Sequence, residues 1–285
     1  MTPHTEPLID AQRLHALLAG PRPPLVADCR FTLADPAAGE AAYREAHIPG
    51  AVYLHLERDL SAPAGPTGGR HPLPSPEDFG RTMRRIGLDA GRLLVACDDA
   101  RGAFAARLWW LARYFGHTPV CVLDGGVGAW VRAGFTLDAA IPAPAPGDFR
   151  PCPHPEMRID YEELAPRVAR GTVALVDSRE PRRFAGLEEP IDPVAGHVPG
   201  ALNRPWAEAT GEADSRFRDA AAQAARWRGV DTEDLVVYCG SGVTACVNLL
   251  SLELAGIRGA RLYPGSWSDW CARPDAPVAT GASGS

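Results

Sequence analysis

The sequence predicts an α/β protein made of two similar tandem domains, each a parallel sheet flanked by helices. Two observations predict this fold class. Short, fully apolar runs alternate with segments whose apolar residues recur at helical spacing, which is typical of a parallel sheet with crossover helices. The motifs of the first half also return in the same order about 150 residues later.

The apolar runs are the predicted strands. They cover residues 25–27, 93–96 and 120–123 in the first half, and 173–176, 235–238 and 261–263 in the second. Because these runs are apolar throughout, we expect both faces of each strand to be buried. The helical stripes between them are Phe104, Leu108, Leu111 and Phe115 in the first half, and Val247, Leu250 and Leu254 in the second.

Three motifs carry the internal duplication. The pairs are Ile9-Asp10 with Ile159-Asp160, Asp28-Cys29-Arg30 with Asp177-Ser178-Arg179, and Ala46-His-Ile-Pro-Gly-Ala51 with Gly196-His-Val-Pro-Gly-Ala201. The offset is 149 or 150 residues each time, so the halves are predicted to be two copies of one domain. His47 and His197 occur in both copies, which favours a structural role for these two side chains.

A proline-rich stretch separates the two copies. Proline lacks a backbone N–H and fixes φ, so this stretch cannot hold a helix or a central strand. We therefore predict domains at residues 1–140 and 156–285, joined by a semi-rigid linker at 141–155.

Composition excludes several classes of protein. The 285 residues are 46% hydrophobic and 22% charged, with a net charge of −6, which argues against a dedicated nucleic-acid binder. No apolar run approaches the roughly 18–20 residues of a membrane span. Residues 1–7 do not resemble a signal peptide, so the expected location is the cytoplasm. Seven scattered cysteines and the absence of Cys-x2-Cys or His-x3-His spacing predict neither a disulfide framework nor a metal site.

Cys239 is the candidate nucleophile. It follows the run 235–238 and precedes the loop Gly240-Ser241-Gly242-Val243-Thr244, after which a helix is predicted. In parallel sheets, ligands bind at the carboxyl ends of the strands. The glycines allow backbone N–H groups to turn inward, the helix start adds positive partial charge, and Ser241 and Thr244 add hydroxyl donors. We expect this setting to favour the thiolate over a merely structural cysteine.

The same loop excludes a phosphatase of the phosphocysteine type. Those enzymes need an arginine six positions after the cysteine, and this position is Ala245. Cys246 lies too far along for a Cys-x2-Cys pair and is expected to pack in the helix, or to resolve an oxidised Cys239.

With these motifs, the chain resembles the tandem-rhodanese sulfurtransferases, which comprise thiosulfate and 3-mercaptopyruvate sulfurtransferases. The matching residues are the two His-[Ile/Val]-Pro-Gly-Ala stretches, the 239–245 loop, Gly265-Ser-Trp-Ser-Asp-Trp270 and Pro277-Val-Ala-Thr280. The resemblance covers residues 5–281. It implies two rhodanese domains of which only the second is catalytic, a persulfide on Cys239, and no metal or organic cofactor.

The first half is predicted to have lost its nucleophile. Leu249-Leu250 lie ten and eleven residues after Cys239, and Leu108-Trp109 lie at the same distances after Asp98. Counting from Cys97 would instead put charged Arg107 in an apolar position. Asp98 therefore takes the catalytic position of the first domain.

The neutral Gly240-Ser241 pair resembles 3-mercaptopyruvate enzymes, whereas thiosulfate enzymes place two cations after the cysteine. A neutral loop suits a monocarboxylate donor better than a dianion. We expect Arg179 and Arg183 to bind its carboxylate together with loop residues 240–244, and Arg182 to be solvated. His71, in Arg70-His-Pro-Leu-Pro74, resembles a histidine that some 3-mercaptopyruvate enzymes bring near the active-site serine, and this resemblance implies that it orients Ser241 or relays a proton.

The predicted partners are a small-molecule sulfur donor and an acceptor, either a small thiol, a thioredoxin-like protein or cyanide. Thiosulfate:cyanide sulfurtransfer on the same cysteine is the alternative. More remote alternatives are a redox module in which Cys239 and Cys246 bridge, and a domain that delivers sulfur to a partner protein. Mass spectrometry distinguishes the redox module from the sulfurtransferase, since a disulfide bridge loses two protons and a persulfide gains one sulfur.

Overall fold

The computed structural model describes residues 6–282; residues 1–5, part of the N-terminal stretch considered above, and 283–285 lie outside the described residues. The chain forms two compact units. Among the described residues, the first unit contains 6–62, 74–154 and 210–217, and the second contains 63–73, 155–209 and 218–282. Each unit is therefore discontinuous in sequence. The domain boundaries at 140 and 156 stay a prediction.

The first unit contains a five-stranded parallel sheet with the order β1-β5-β4-β2-β3. Its strands are β1 (Leu8–Ile9), β2 (Leu25–Asp28), β3 (Val52–Tyr53), β4 (Leu94–Cys97) and β5 (Val120–Leu123). Its helices are α1 (Ala11–Leu18), α2 (Ala38–Glu45), α3 (Leu56–Asp59), α4 (Pro76–Arg85), α5 (Ala105–Tyr114) and α6 (Gly126–Arg132).

The second unit contains a four-stranded parallel sheet with the order β7-β6-β8-β9. Its strands are β6 (Ala174–Asp177), β7 (Leu202–Asn203), β8 (Leu235–Tyr238) and β9 (Arg261–Leu262). Its helices are α7 (Tyr161–Arg170), α8 (Pro181–Phe184), α9 (Ala220–Arg226), α10 (Ala245–Leu254) and α11 (Ser266–Trp270), with short 3-10 helices at Pro155–Met157 and Trp206–Ala209.

The predicted fold class is confirmed. All six predicted strands are present, with ends within one residue of the apolar runs, and both predicted helices form as α5 and α10. The sequence did not predict β1, β3 or β7. Each has two residues, too few to give a recognisable apolar run.

The duplicated Ile-Asp pair begins a helix in both units. Asp10 accepts a hydrogen bond from the backbone N–H of Arg13 at the start of α1, and Asp160 accepts one from Glu163 at the start of α7. Such N-caps satisfy a donor that the helix itself cannot.

Each unit has its own apolar core. The first core includes Ile9, Leu14, Val26, Val95, Leu123 and Trp130. The second includes Ile159, Leu164, Leu175, Val236, Trp267 and Trp270. The capping and core residues of the two units thus correspond along the chain, as a duplicated domain requires.

The two His-x-Pro-Gly histidines play the same structural role in both units. Nδ1 of His47 lies 2.7 Å from the Tyr43 carbonyl oxygen, and Nδ1 of His197 lies 2.7 Å from that of Phe184. Each imidazole also stacks on the ring of the residue whose carbonyl it contacts. Burial lowers the pKa of His197, which keeps its imidazole neutral. The structural role expected from their symmetry is confirmed.

The proline-rich stretch is bound to the first unit by backbone hydrogen bonds. Gly147 donates to the Arg84 carbonyl, Phe149 to that of Leu88, and Cys152 to that of Phe115. Across the described residues, no helix is long and apolar enough to cross a membrane.

Candidate active site

Cys239 lies directly after β8, one of the two central strands of the second sheet, and is buried. The five residues that follow form a tight loop, and α10 begins at Ala245. The thiol is thus at the carboxyl end of the sheet and before a helix N-terminus. Both features favour an anion at this position.

Gly242 shapes the loop around the sulfur. Its φ is +76°, and a Cβ at this position would lie 2.4 Å from the Pro264 carbonyl oxygen, so no side chain fits. This turn brings the Gly242 N–H to 3.2 Å from Cys239 Sγ. The predicted inward-facing amide is therefore present.

The loop is fixed to α11 through its backbone. The Cys239 N–H donates to Ser266 Oγ at 3.1 Å, and the Cys239 carbonyl accepts from the Trp267 N–H at 2.9 Å. The Gly240 carbonyl accepts from the Ser268 N–H. These contacts explain why the Gly-Ser-Trp-Ser motif accompanies the cysteine loop: α11 positions the nucleophile.

His71 and Ser241 lie together, as expected. His71 Nδ1 is 2.8 Å from Ser241 Oγ, and both side chains are buried. His71 belongs to the segment 63–73, which packs within the second unit. That segment is held by the Gly68 N–H donating to Asp269 at 2.8 Å and the Arg70 N–H donating to Ser268 at 3.1 Å.

Two guanidinium groups face Gly240. A Cβ built on Gly240 would lie 3.0 Å from Arg70 Nη2 and 3.6 Å from Arg183 Nη2. Arg183 was predicted to be near the cysteine loop, but Arg70 was not. Arg70 directly precedes His71. The prediction that His71 lies near Ser241 was therefore the one signal that could have placed Arg70 near the cysteine loop.

Acidic side chains pair with both guanidinium groups. Arg183 binds Glu189 through Nη2 at 2.7 Å, and Arg70 forms a close ion pair with Asp192. Asp192 Oδ2 also lies 3.4 Å from Arg183 Nη2. The pKa of Glu189 is lowered, because its bonds to Arg183 and to backbone N–H groups outweigh the effect of burial.

Arg179 is occupied elsewhere, contrary to the role expected for it. Its guanidinium forms hydrogen bonds with Asp177, Glu189 and the Gly196 carbonyl, and it stacks on the Trp267 ring with the two centres 4.7 Å apart. Arg30 of the first unit repeats the bonds to Asp28 and to the Ala46 carbonyl. A side chain that is duplicated in this way, fully buried and bonded through Nε, Nη1 and Nη2 is structural, so we no longer place Arg179 among the proposed donor-binding groups.

The remaining predicted residues fall on the loop or next to it. Val243 is buried beside the cysteine, and Thr244 ends the loop without a side-chain hydrogen bond to the start of α10. Arg182 is exposed and pairs with Glu188, as expected of a solvated charge. Cys246 is buried in α10 and its Sγ contacts the Gly242 carbonyl at 3.5 Å. All seven cysteines are free thiols.

The first unit has a carboxylate where the second has the thiol. Asp28 pairs with Cys97 across the first sheet, whereas Asp177 pairs with Tyr238 across the second. Because Asp28 and Asp177 are counterparts, Cys97 corresponds to Tyr238 and Asp98 to Cys239. The register predicted from sequence is confirmed. Burial raises the pKa of the Cys97 thiol well above its usual value, and the nearby Asp28 charge adds to this effect.

Asp98 is held by four backbone N–H groups, each 2.9 Å from a carboxylate oxygen. They belong to Ala100, Gly102, Phe104 and Ala105. Burial raises the pKa of Asp98, although these four bonds favour its ionised form. The loop between β4 and α5 therefore surrounds the Asp98 carboxylate with backbone N–H donors.

In the part of the chain that the structure describes, no group of three or more His, Cys, Asp or Glu side chains could hold a metal ion. The groups that the structure brings to the Cys239 loop are a thiol, a hydroxyl–imidazole pair and two guanidinium groups.

Comparisons with known proteins identify the family of this chain. A family model described as Rhodanese-like domain matches residues 10–133 and 160–273. The chain is 47% identical over 281 residues to a probable 3-mercaptopyruvate sulfurtransferase of Pseudomonas aeruginosa, covering 96% of this chain and 98% of the relative. It is 37% identical to the putative thiosulfate sulfurtransferase SseB of Mycobacterium tuberculosis, covering 96% and 97%. The crystal structure of SseA from Escherichia coli, described as a 3-mercaptopyruvate sulfotransferase, superposes with a TM-score of 0.80 at 30% identity, covering 93% of this chain and 100% of that one.

Proposed function

Since this chain belongs to the rhodanese-like family and is a sulfurtransferase, we propose that it moves sulfur from 3-mercaptopyruvate to an acceptor through a persulfide on Cys239. The observation that carries the proposal is the grouping of a thiol, a histidine–serine pair and two guanidinium groups around one five-residue loop. The name of the Pseudomonas aeruginosa relative supports the choice of donor.

In the first half-reaction the Cys239 thiolate attacks the sulfur of 3-mercaptopyruvate. A sulfur–sulfur bond forms and the carbon–sulfur bond breaks, so its electron pair leaves with the three-carbon fragment as the enolate of pyruvate. The proton of the donor thiol then passes to the enolate carbon, and the products are pyruvate and the Cys239 persulfide anion. The Gly242 N–H, 3.2 Å from Cys239 Sγ, is assigned the stabilisation of the attacking thiolate, in the manner of an oxyanion hole.

The His71–Ser241 pair is assigned the proton transfer. Its 2.8 Å contact joins an imidazole to a hydroxyl on the cysteine loop. In this role Ser241 passes the donor's thiol proton toward the leaving enolate, and His71 holds the hydroxyl in position.

Arg183 and Arg70 are assigned the donor's carboxylate. Both guanidinium groups face Gly240, one residue from the nucleophile, and a guanidinium binds a carboxylate through two parallel hydrogen bonds. Loop residues 240–244 supply the remaining contacts.

In the second half-reaction the acceptor attacks the outer sulfur of the persulfide. Cyanide leaves as thiocyanate, and a thiol, either a small molecule or a thioredoxin-like protein, leaves as its own persulfide. The Cys239 thiolate is restored, so the cycle needs no oxidant or reductant beyond the two substrates.

The test compares kcat/KM for 3-mercaptopyruvate and for thiosulfate, with cyanide as acceptor and Cys239→Ser as the blank. We expect a preference for 3-mercaptopyruvate and no transfer by the variant. Mass spectrometry of the donor-treated protein should show one added sulfur on the peptide that contains Cys239. Turnover by Cys239→Ser above the blank would contradict the proposal.

One observation favours thiosulfate as a second candidate donor. The loop itself is neutral, but Arg70 and Arg183 place two cations beside it, and two cations suit a dianion. The Mycobacterium tuberculosis relative is named a putative thiosulfate sulfurtransferase. A higher kcat/KM for thiosulfate would select this donor while keeping Cys239 as the nucleophile.

A further inference from the structure

Asp192 lies between the two guanidinium groups that flank the cysteine loop. Its Oδ1 pairs with Arg70 and its Oδ2 lies 3.4 Å from Arg183, so each oxygen faces a different arginine. Only 3% of its side chain is exposed. A Cβ on Gly240, the residue after the nucleophile, would contact the same two guanidinium groups.

The loop that carries Asp192 holds its carboxylate toward the site. Glu189 Oε1 accepts hydrogen bonds from the backbone N–H groups of Ile191 and Asp192, and Glu189 itself binds Arg183. Leu187 and Ile191 on the same loop are exposed. Asp192 is therefore turned inward by a local hydrogen-bonded turn and not by burial of the loop as a whole.

Arg179 also binds Glu189, but its charge is balanced by the buried Asp177, and Glu180, 3.7 Å from Arg183, is more than half exposed. The charges of the four remaining side chains beside the loop sum to zero. Arg70 and Arg183 contribute two positive charges, and Glu189 and Asp192 contribute two negative charges. A donor that brings one negative charge leaves this cluster with a net charge of −1, and a dianion leaves it at −2. In a partly buried site each uncompensated charge is costly.

We propose that Asp192 is a specificity-determining residue: by cancelling one of the two guanidinium charges, it selects monoanionic sulfur donors over dianionic ones. This inference rests on the proposed function, since it assigns the choice between 3-mercaptopyruvate and thiosulfate to one carboxylate. The raised pKa of Asp192, caused by burial and opposed by Arg70, agrees with a carboxylate that is poorly solvated.

Asp192→Asn removes the charge and keeps the shape of the side chain. The ratio of kcat/KM for thiosulfate to kcat/KM for 3-mercaptopyruvate should then rise roughly tenfold, because a dianion gains twice the electrostatic benefit. The matched control is Glu188→Gln, which removes a carboxylate of the same loop that faces the exposed Arg182. The control should leave the ratio within about twofold of the wild type.

Asp192→Glu separates charge from packing. It keeps the negative charge, so the ratio should stay near that of the wild type even if both rates fall. An unchanged ratio in Asp192→Asn, or an equal rise in Asp192→Glu, would overturn the inference. The proposed function fails differently, through the absence of a persulfide on Cys239 or residual turnover in Cys239→Ser.

Discussion

Ser241 joins the cysteine loop to a histidine that precedes it by 170 positions in the sequence. The hydroxyl is buried, and its 2.8 Å contact with His71 fixes its direction. A hydroxyl held in this way can assist transfer from 3-mercaptopyruvate, because the leaving enolate must be protonated on carbon. The hydroxyl should contribute less to transfer from thiosulfate, because sulfite leaves with its electron pair and needs no proton on carbon.

We expect Ser241→Ala and His71→Asn each to lower kcat for 3-mercaptopyruvate roughly 100-fold, the usual contribution of a positioned proton-transfer group. The loss with thiosulfate should be much smaller. Steady-state kinetics of both single variants and the double variant check this. If the residues act as a pair, the double variant loses little more than either single one. Fully additive losses, or equal losses with both donors, would contradict the pairing.

The strand–loop–helix unit from β8 to α10 depends on one residue in the left-handed conformation. Gly242 has a φ of +76° and no room for a Cβ beside the Pro264 carbonyl oxygen. Gly256, just after the end of the same helix, has a φ of +77° and open space around its Cβ position. The two glycines share a backbone conformation and differ in their surroundings.

Gly242→Ala should therefore displace the loop and its N–H from Cys239 Sγ, lowering kcat/KM about 100-fold. Gly256→Ala is the matched control. Backbone strain alone should lower its stability by about 1 kcal/mol, and it should keep wild-type kcat/KM. Kinetics and thermal unfolding of both variants test this. Equal activity in the two variants would show that the 3.2 Å contact between the N–H and the sulfur is not needed.

The sequence predicted the elements better than the side chains that meet between them. Runs such as 235–238 reveal buried strands because periodicity is a local property. Arg70 escaped prediction because only tertiary packing of residues 63–73 brings it to Gly240. Arg179 was misassigned although its counterpart Arg30 was visible in the first half, where no nucleophile was expected. The symmetry that identified His47 and His197 as structural applied equally to these two arginines.

The duplication allows the two units to be compared with each other. The Asp28–Arg30 and Asp177–Arg179 pairs are both buried and each binds a backbone carbonyl 16 or 17 residues further along. Each pair therefore connects the end of a central strand to the His-x-Pro-Gly turn of its own unit.

Arg30→Gln and Arg179→Gln should each destabilise the protein by about 3–5 kcal/mol, because each leaves a buried carboxylate without its cation. Chemical denaturation of the two variants beside the wild type measures this loss. The KM for 3-mercaptopyruvate should stay unchanged in the folded fraction of both. A raised KM in Arg179→Gln with wild-type stability would restore Arg179 as a donor-binding group.

The Asp98 carboxylate has a consequence for stoichiometry. The first unit's loop is built to surround negative charge, and its own side chain already occupies all four backbone donors. No vacancy for a substrate anion remains among those donors, and no thiol stands at that position. Under the proposed function, a chain saturated with donor therefore carries one transferable sulfur atom, although it contains two copies of the domain.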